Sequence, residues 1–233
     1  MPLLFGFLLK QKLLNPELRL VLIGAGDCPS ALLDGARAAG LSVSFGYGLT
    51  ETSSGVALST SGDPYAMELC PDDTAEIAPD GEVLLRAPTC MMQGYYKDPA
   101  ATQAVLQNGV LHTGDLGFLD GAGRLHITGR KKDVLVLADG SKIFCPEYEA
   151  KLSAALQTAS LAVVLSGGKP ALVLEADSAD ETRVRAALAA FNAQYPRGQQ
   201  IAAVIPYPKK LPRTATGKLR RWQLQEELNH GTR

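Results

Sequence analysis

Residues 18–51 read LRLVLIGAGDCPSALLDGARAAGLSVSFGYGLTE, and this stretch sets the architecture of the first half of the chain. The apolar run Leu18–Ile23 has strand character, residues 29–39 have helical character, and Leu41–Phe45 returns to a strand pattern. Two strands joined through a helix pair as a parallel β-α-β unit. The segment Gly46–Glu51 then follows the carboxyl end of a strand, where open α/β sheets bind ligands. We therefore expect a binding site at this edge.

Three further segments combine a glycine turn with polar side chains suited to a nucleotide. They are His112–Gly117, Thr128–Asp133 and Thr214–Lys218. Glycine lets backbone amides approach phosphate, hydroxyls and carboxylates can hold phosphate or a metal ion, and Asp and Arg can share the hydroxyls of a ribose. Lys218 follows Gly217 in a polar turn, where a loop would carry a cation to a developing negative charge. A basic cluster of this kind is also commonly a solvated helix face, and both interpretations stay open here.

These segments, taken with Gly46–Glu51, resemble the adenylate-forming superfamily of acyl-CoA synthetases, peptide-synthetase adenylation domains and luciferases. The resemblance extends from residue 18 to residue 224 and includes Gly81–Arg86 and Gly94–Pro99. It implies an enzyme that uses ATP to join a carboxylic acid to AMP and then forms a thioester. CoA is the expected acceptor, and a carrier protein stays open as the alternative. The implied cofactors are ATP or AMP and Mg²⁺, with CoA as co-substrate and a small carboxylic acid as substrate.

The resemblance also implies roles for single residues. Thr50 and Glu51 would contact phosphate, Glu51 would hold Mg²⁺, and Lys218 would reach the α-phosphate and carboxylate oxygens during adenylation. These three are the implied catalytic residues. An ordinary helix N-terminus is the structural alternative for Thr50 and Glu51. The implied nucleotide-binding residues are Gly24, Ala25, Gly26, Tyr47, Gly48, Thr50, Asp115 and Arg130.

Within that set, Tyr47 would stack on adenine, and Asp115 and Arg130 would bind the ribose hydroxyls. Lys132 matches the hinge position between two domains, and Gly140 matches the tunnel that receives the pantetheine of CoA. Each of these residues also has a purely structural alternative. Tyr47 could pack in the core, Asp115 and Arg130 could form a surface ion pair, and Lys132 could be a solvated residue of a turn.

The fold class that we predict is α/β plus α+β. Residues 1–131 would form the C-terminal portion of a large AMP-binding domain, with a β-α-β unit and a small β-rich subdomain, and residues 132–233 a small mobile α+β domain. In the first part we expect a helix at 1–10, a loop at 60–80, strands at 82–87, 91–96, 110–113, 116–120 and 124–128, and a helix at 99–107. In the second part we expect a hairpin at 134–137 and 142–144, helices at 147–156, 180–195 and 218–228, and strands at 161–165, 171–176 and 201–205.

Composition excludes several classes of function. With 233 residues, of which 46% are hydrophobic, the chain can form two ordinary domains. The 23 basic and 24 acidic residues give a net charge of −1, which provides no long-range attraction to nucleic acid or anionic membrane. No apolar run reaches the ~18 residues of a membrane helix, and the four cysteines and three histidines show no metal-ligand spacing. We therefore predict a cytoplasmic protein with reduced thiols, no nucleic-acid partner and no integral membrane segment.

The sequence contains no segment that resembles the Ser/Thr/Gly-rich loop, ending in Pro-Lys-Gly, that wraps the ATP phosphates in the superfamily. We therefore expect a truncated chain whose apolar surface favours a homodimer or a second chain that supplies the missing portion. A non-catalytic nucleotide-binding fragment and a plain interaction module are the alternative functions. Fatty, aromatic and amino acids all stay open as substrates.

Overall fold

The computed structural model describes residues 2–24, 30–176, 180–214 and 217–230. Its contacts divide the chain into two compact units, Met1–Gly129 and Arg130–Arg233, which we call the first and second units. The hinge function predicted at Lys132 and the mobility of the smaller domain stay predictions. In the described part of the chain, no helix combines the length and the apolar character that crossing a membrane requires.

The first unit begins with the parallel β-α-β arrangement that the sequence predicts. Its elements are α1 (Pro2–Lys10), β1 (Leu20–Gly24), α2 (Ser30–Ala38), β2 (Ser42–Tyr47), β3 (Ala57–Leu58) and β4 (Glu68–Leu69). The four strands form one sheet in this order, parallel between β1 and β2 and antiparallel beyond. Apolar side chains of both helices and both parallel strands bury a core around Ile23, Leu33 and Ala36.

An antiparallel sheet completes the first unit. Its elements are β5 (Thr74–Ile77), β6 (Glu82–Arg86), α3 (Pro99–Val105), β7 (Leu106–Gln107), β8 (Val110–Leu119) and β9 (Leu125–Arg130). The strand order is β5-β6-β8-β7, and β9 also pairs with β8. Val83, Leu85, Leu111 and Leu125 are almost fully buried at its centre, so this β-rich subdomain has its own core.

Three expectations for the first unit are wrong. Residues 60–80 contain β4 and β5 rather than a loop, and the strands expected at 110–113 and 116–120 are one strand, β8. Residues 91–96 are not a strand. Their apolar character has another cause, since Met91 and Met92 pack against the core. The Met92 amide donates to the Glu51 carbonyl rather than to a neighbouring strand.

The second unit has the α+β architecture of the predicted fold class. The predicted domain bounds, 1–131 and 132–233, stay a prediction. Its elements are β10 (Val134–Val136), β11 (Lys142–Phe144), α4 (Cys145–Leu156), β12 (Leu161–Ser166), β13 (Lys169–Glu175), α5 (Glu181–Asn192), β14 (Ala203–Tyr207) and α6 (Arg221–His230). The first two strands form an antiparallel hairpin, and the last three form a sheet in the order β12-β13-β14. The final pair is parallel.

Both faces of strands β12 and β13 are buried. Leu161 and Val163 point into a core shared with α4 and α5, whereas Ala162 and Val164 point into a core shared with α6. Successive side chains of a strand alternate between faces, so burial on both sides requires the continuous apolar run seen here. The sheet is therefore the rigid centre on which the second unit carries its loops.

Candidate active site

The turn after β2 is fixed by hydrogen bonds of its own residues. Leu49 caps a 3₁₀ helix at Thr50–Thr52, and its amide donates to the Thr52 hydroxyl at 3.1 Å. The Ser54 amide donates back to the Leu49 carbonyl at 3.0 Å. Only glycine fits at position 48, because a Cβ on Gly48 would lie 1.8 Å from the Ser54 carbonyl oxygen. The turn therefore holds the two residues expected to contact phosphate in one fixed segment.

Within this turn, Glu51 is attached to the segment before α3 through both its backbone and its side chain. Its carbonyl accepts a hydrogen bond from the Met92 amide at 2.7 Å, and its Oε1 accepts one from the Tyr95 hydroxyl at 2.5 Å. The second hydrogen bond, with a further contribution from burial, raises the pKa of Tyr95 to about 12, since an ionised phenolate would face a carboxylate. Among the described residues, Oε2 of Glu51 has no hydrogen-bond partner. The side chain of Thr50 is exposed.

Asp115 is positioned by an irregularity in β8. Gly114 has a φ of +68° inside the strand, where the register with β6 shifts. The Gly114 amide donates to the buried carboxylate of Glu82 at 2.8 Å, and the Asp115 amide donates to the Thr113 hydroxyl at 3.0 Å. Bulges of this kind redirect a side chain. Here the Asp115 carboxylate accepts a hydrogen bond from the Tyr47 hydroxyl at 2.8 Å.

This contact joins two motifs that are 68 positions apart in the sequence. The structure thus brings Tyr47 and Asp115 together. Asp115 is only 2% exposed, so a ribose would reach its carboxylate only after neighbouring groups move. Gly24 ends β1 directly opposite Gly46 and therefore lies at the same strand edge as Tyr47. Ala25 and Gly26, the other residues predicted to lie against adenine, fall outside the described residues.

The remaining predicted site residues lie at or beyond Arg130, the residue at which the chain passes from the first unit into the second. Arg130 is the exposed last residue of β9, and Lys132 is exposed in a 3₁₀ helix at Lys131–Asp133. Gly140 has a φ of +80° in the turn between β10 and β11, a conformation that favours glycine. The roles assigned to these residues at the nucleotide, the hinge and the CoA tunnel stay predictions.

Lys218 lies in an anchored loop that leads into α6. The Thr214 amide donates to the Lys218 carbonyl at 2.8 Å, and the Lys218 amide donates to the Thr214 hydroxyl at 3.1 Å. The Arg213 guanidinium donates to the carbonyls of Gly217 at 3.0 Å and Ala159 at 2.8 Å, which ties the loop to the body of the second unit. The Lys218 ammonium is exposed, and no side chain in the described part of the chain pairs with it. These hydrogen bonds thus hold the Lys218 backbone in place and leave its side chain available as a cation.

The donor set of the first unit suits a magnesium ion that is bound mainly by a nucleotide. In the described ranges, no three His, Cys, Asp or Glu side chains are grouped so that they could hold a metal ion by themselves. Glu51 offers one oxygen, and Mg²⁺ commonly takes one or two protein carboxylates together with substrate phosphates and water. The residues present therefore fit this ion.

The sequence analysis assigned no role to three residues that build the site, namely Tyr95, Glu82 and Arg213. The first two lie in the recognised segments Gly94–Pro99 and Gly81–Arg86, but spacing alone does not show which side chain returns to a distant turn. The sequence does contain one indication for Glu82, which begins the apolar strand 82–86. A carboxylate that is buried with such a strand requires a hydrogen-bond donor as a partner.

The chain is similar in sequence to known enzymes. No family model matches the chain. Among curated proteins, the 2-succinylbenzoate–CoA ligase of Listeria monocytogenes serotype 4b is 32% identical over 228 residues, which cover 91% of this chain and 46% of that protein. The long-chain-fatty-acid–CoA ligase FadD15 of Mycobacterium bovis is 37% identical over 189 residues, which cover 71% of this chain and 30% of that protein.

The chain is homologous to the AMP-forming CoA ligases. It corresponds to their C-terminal part and spans less than half the length of these two relatives. The resemblance inferred from the sequence motifs is thereby confirmed.

Solved structures of adenylate-forming enzymes share the fold. The O-succinylbenzoate coenzyme A synthetase of Bacillus subtilis in complex with AMP superposes with a TM-score of 0.73 at 26% identity, covering 96% of this chain and 49% of that one. The same enzyme has been solved with its acyl-adenylate intermediate, with a TM-score of 0.74, and with ATP and magnesium, with a TM-score of 0.72. The predicted fold class is confirmed.

Proposed function

We propose that this chain supplies the AMP-binding edge and the adenylation lysine of an AMP-forming carboxylic acid–CoA ligase. The observation that carries the proposal is the hydrogen bond between Tyr47 and Asp115, which joins the two motifs that the superfamily uses for adenine and ribose. The Bacillus subtilis synthetase, solved with AMP, with an acyl-adenylate and with ATP and magnesium, supports the same ligands here.

The first unit would hold the nucleotide. The Tyr47 ring would stack on adenine, and Asp115 would bind the ribose hydroxyls. Arg130, the first residue of the second unit, is the other proposed ribose ligand. Thr50, exposed at the fixed turn, would donate to phosphate. Glu51 would present a carboxylate oxygen to Mg²⁺, an ion that neutralises phosphate charge when it is bound.

The second unit would provide the charge that adenylation needs. An oxygen of the substrate carboxylate attacks the α-phosphorus of ATP, one P–O bond forms, and the bond to the departing pyrophosphate breaks. Because two anions must meet, a preorganised cation stabilises the charge that concentrates in the transition state. The exposed Lys218 ammonium, which pairs with no side chain in the described ranges, would be that cation. In the second half-reaction, rotation at Lys132 would bring Gly140 to the CoA tunnel, and the CoA thiol would displace AMP.

Separate assays of the two half-reactions test this assignment. In an enzyme that contains this chain, Lys218→Ala is expected to slow acid-dependent exchange of pyrophosphate into ATP by about 100-fold or more. Thioester formation from supplied acyl-AMP and CoA should largely persist. Arg220→Ala is the matched control, since it removes an exposed cation two residues away. Equal loss in both half-reactions contradicts the role of Lys218.

Nucleotide titration separates the alternative functions. AMP binding without any pyrophosphate exchange would favour a non-catalytic nucleotide-binding fragment. If neither ATP nor AMP raises the melting temperature at concentrations far above a plausible dissociation constant, the interaction-module alternative is favoured.

The cellular setting that we propose is the cytoplasm. Cys70, Cys90 and Cys145 are free thiols in the structure, and unpaired cysteines are typical of reducing compartments. Either a homodimer or a second chain would cover the exposed apolar side chains of the first unit. The acid remains one of three classes, fatty, aromatic or amino acids.

A further inference from the structure

Tyr95 lies outside the turn that contains the proposed phosphate contacts, yet its hydroxyl donates a hydrogen bond to the Glu51 carboxylate of that turn. We propose that Tyr95 is a positioning residue that fixes the Glu51 carboxylate so that Oε2 is presented to a metal-bound nucleotide. The inference rests on the proposed function, since it concerns the same carboxylate.

Among the residues that the structure describes, no other partner orients the carboxylate of Glu51. Oε1 accepts from Tyr95 at 2.5 Å, and Oε2 is unpaired within the described part of the chain. The Glu51 backbone is held independently, because its carbonyl accepts from the Met92 amide. Removing the Tyr95 hydroxyl would therefore release the carboxylate while the turn stays in place.

Tyr95 is itself held by α3. Its amide donates to the Thr102 hydroxyl at 2.9 Å, and that hydroxyl donates to the Asp98 carbonyl at 2.8 Å. Asp98 also caps the helix, with its side chain accepting from the Ala101 amide at 2.9 Å. Gly94 has a φ of +152°, and a Cβ there would lie 3.0 Å from the Thr102 side chain. The contact to Glu51 is thus built on the first turn of a helix.

The next residue along the chain supplies a natural control. Tyr96 is 88% exposed, and its ring contacts the Lys97 ammonium at the surface rather than any carboxylate. Two adjacent tyrosines therefore differ in one respect that matters here, which is the hydrogen bond to Glu51.

A hydrogen bond to a metal-ligating carboxylate fixes its orientation, and loss of such an outer contact typically lowers metal affinity by about 10–100-fold. Tyr95 is partly exposed, so we expect the lower end of this range. The effect should appear in metal binding itself and does not require turnover.

Manganese binding tests the inference with Mn²⁺ as a paramagnetic probe. The chain would be titrated into a fixed concentration of Mn²⁺–ATP, and the protein-bound complex would be followed by the enhanced relaxation of water protons. Tyr95→Phe is expected to weaken protein-bound Mn²⁺–ATP by about 10-fold, and Tyr96→Phe to leave it unchanged. Unchanged or tighter binding in Tyr95→Phe overturns the inference and leaves the proposed function standing. If the unsubstituted chain binds no Mn²⁺–ATP, the proposed function and the metal role of Tyr95 fail together.

A double-mutant cycle tests the contact without metal. Tyr95→Phe, Glu51→Ala and the double variant would be compared in urea unfolding, with Tyr96→Phe in place of Tyr95→Phe as the control cycle. A coupling of about 10-fold in the unfolding equilibrium, or about 1.4 kcal/mol, is expected for Tyr95 and none for Tyr96. Independent effects of Tyr95→Phe and Glu51→Ala would show that the hydroxyl does not hold the carboxylate, which overturns the inference whatever the metal data give.

Discussion

Gly48 is the residue on which the geometry of the candidate site most directly depends. A methyl group at this position would overlap the Ser54 carbonyl, 1.8 Å away, and backbone atoms cannot move aside as a flexible side chain can. We predict that Gly48→Ala lowers the free energy of unfolding by about 2 kcal/mol or more. Urea unfolding followed by circular dichroism measures this change.

Gly55 is the control for this prediction, because a Cβ there meets no atom within 4 Å. Gly55→Ala should change the free energy of unfolding by less than about 0.5 kcal/mol. Equal stability of the Gly48→Ala and Gly55→Ala variants would show that the turn is looser than the structure implies.

Arg221, in the second unit, joins three elements. Its guanidinium donates to both carboxylate oxygens of Glu149 on α4, at 2.6 and 3.1 Å, and to the Val163 carbonyl on β12. It also lies 3.4 Å from the Asp133 carboxylate, in the short helix that contains the predicted hinge. Its side chain is only 8% exposed, so loss of the cation would leave the partly buried carboxylates of Glu149 and Asp133 without their cationic partner.

We predict that Arg221→Met destabilises the second unit by about 3 kcal/mol, since removal of one partner of a buried ion pair costs this much. Arg220→Met, at the exposed neighbouring position, should have an effect below about 0.5 kcal/mol. Urea unfolding monitored by the fluorescence of Trp222 reports on this region. Similar unfolding midpoints for the two variants would exclude a structural role for the Arg221 ion pairs.

The base of the Lys218 loop is attached through a buried carboxylate. Glu175 accepts from the Leu211 amide at 2.9 Å and from the Lys210 ammonium at 2.9 Å. Burial raises the pKa of Glu175, but these donors and the Ser160 side chain outweigh it, so the net pKa lies below the ordinary value of 4.5.

A depressed carboxylate pKa gives stability that is fully present above the unfolded-state value and is lost as the pH falls through the folded-state value. We therefore predict that amide exchange of Leu211 accelerates, relative to the intrinsic rate, as the pH falls below about 4.5. The Glu175→Gln variant should show less protection at pH 7 and a flatter pH dependence. A wild-type profile that stays flat down to pH 3 would contradict this attachment.

The sequence predicts regular elements well and long-range contacts poorly, for physical reasons. Strands β12 and β13 are continuous apolar runs because both of their faces are buried, and the pattern alone identifies them. Met91 and Met92 are apolar because they pack against the core, although residues 91–96 do not form a strand. Periodicity cannot distinguish an apolar segment of this kind from a strand. Arg221 ends a basic run that is typical of a solvated helix face, yet it is buried. Its partners Glu149 and Val163 lie 72 and 58 positions away, and spacing does not reveal them.

For the whole molecule, the exposed apolar side chains of the first unit have the clearest consequence. Those of α1, β1 and their connection are more than half exposed: Leu4, Phe7, Leu13, Leu20 and Leu22. Among the described strands, β1 is also an edge strand that pairs with another strand on one side only. Apolar surface beside an open strand edge favours association with another chain.

We therefore predict that the isolated chain self-associates at high concentration. The double variant Leu20→Glu and Leu22→Glu should shift its mass in light scattering toward that of a single chain. Val136→Glu, at an exposed apolar position of the second unit, should not. A monomer at all concentrations of the unsubstituted chain would contradict the prediction.

The account as a whole rests on the claim that the edge containing Tyr47 and Asp115 binds the adenosine of AMP. Isothermal titration of AMP into the chain and into Asp115→Asn tests this claim most directly. We expect saturable binding with one AMP per chain, weakened about 10-fold or more in the variant, because hydrogen bonds to a charged group contribute ~1.5–3 kcal/mol. No binding at millimolar AMP, or equal affinity in the two proteins, would contradict it.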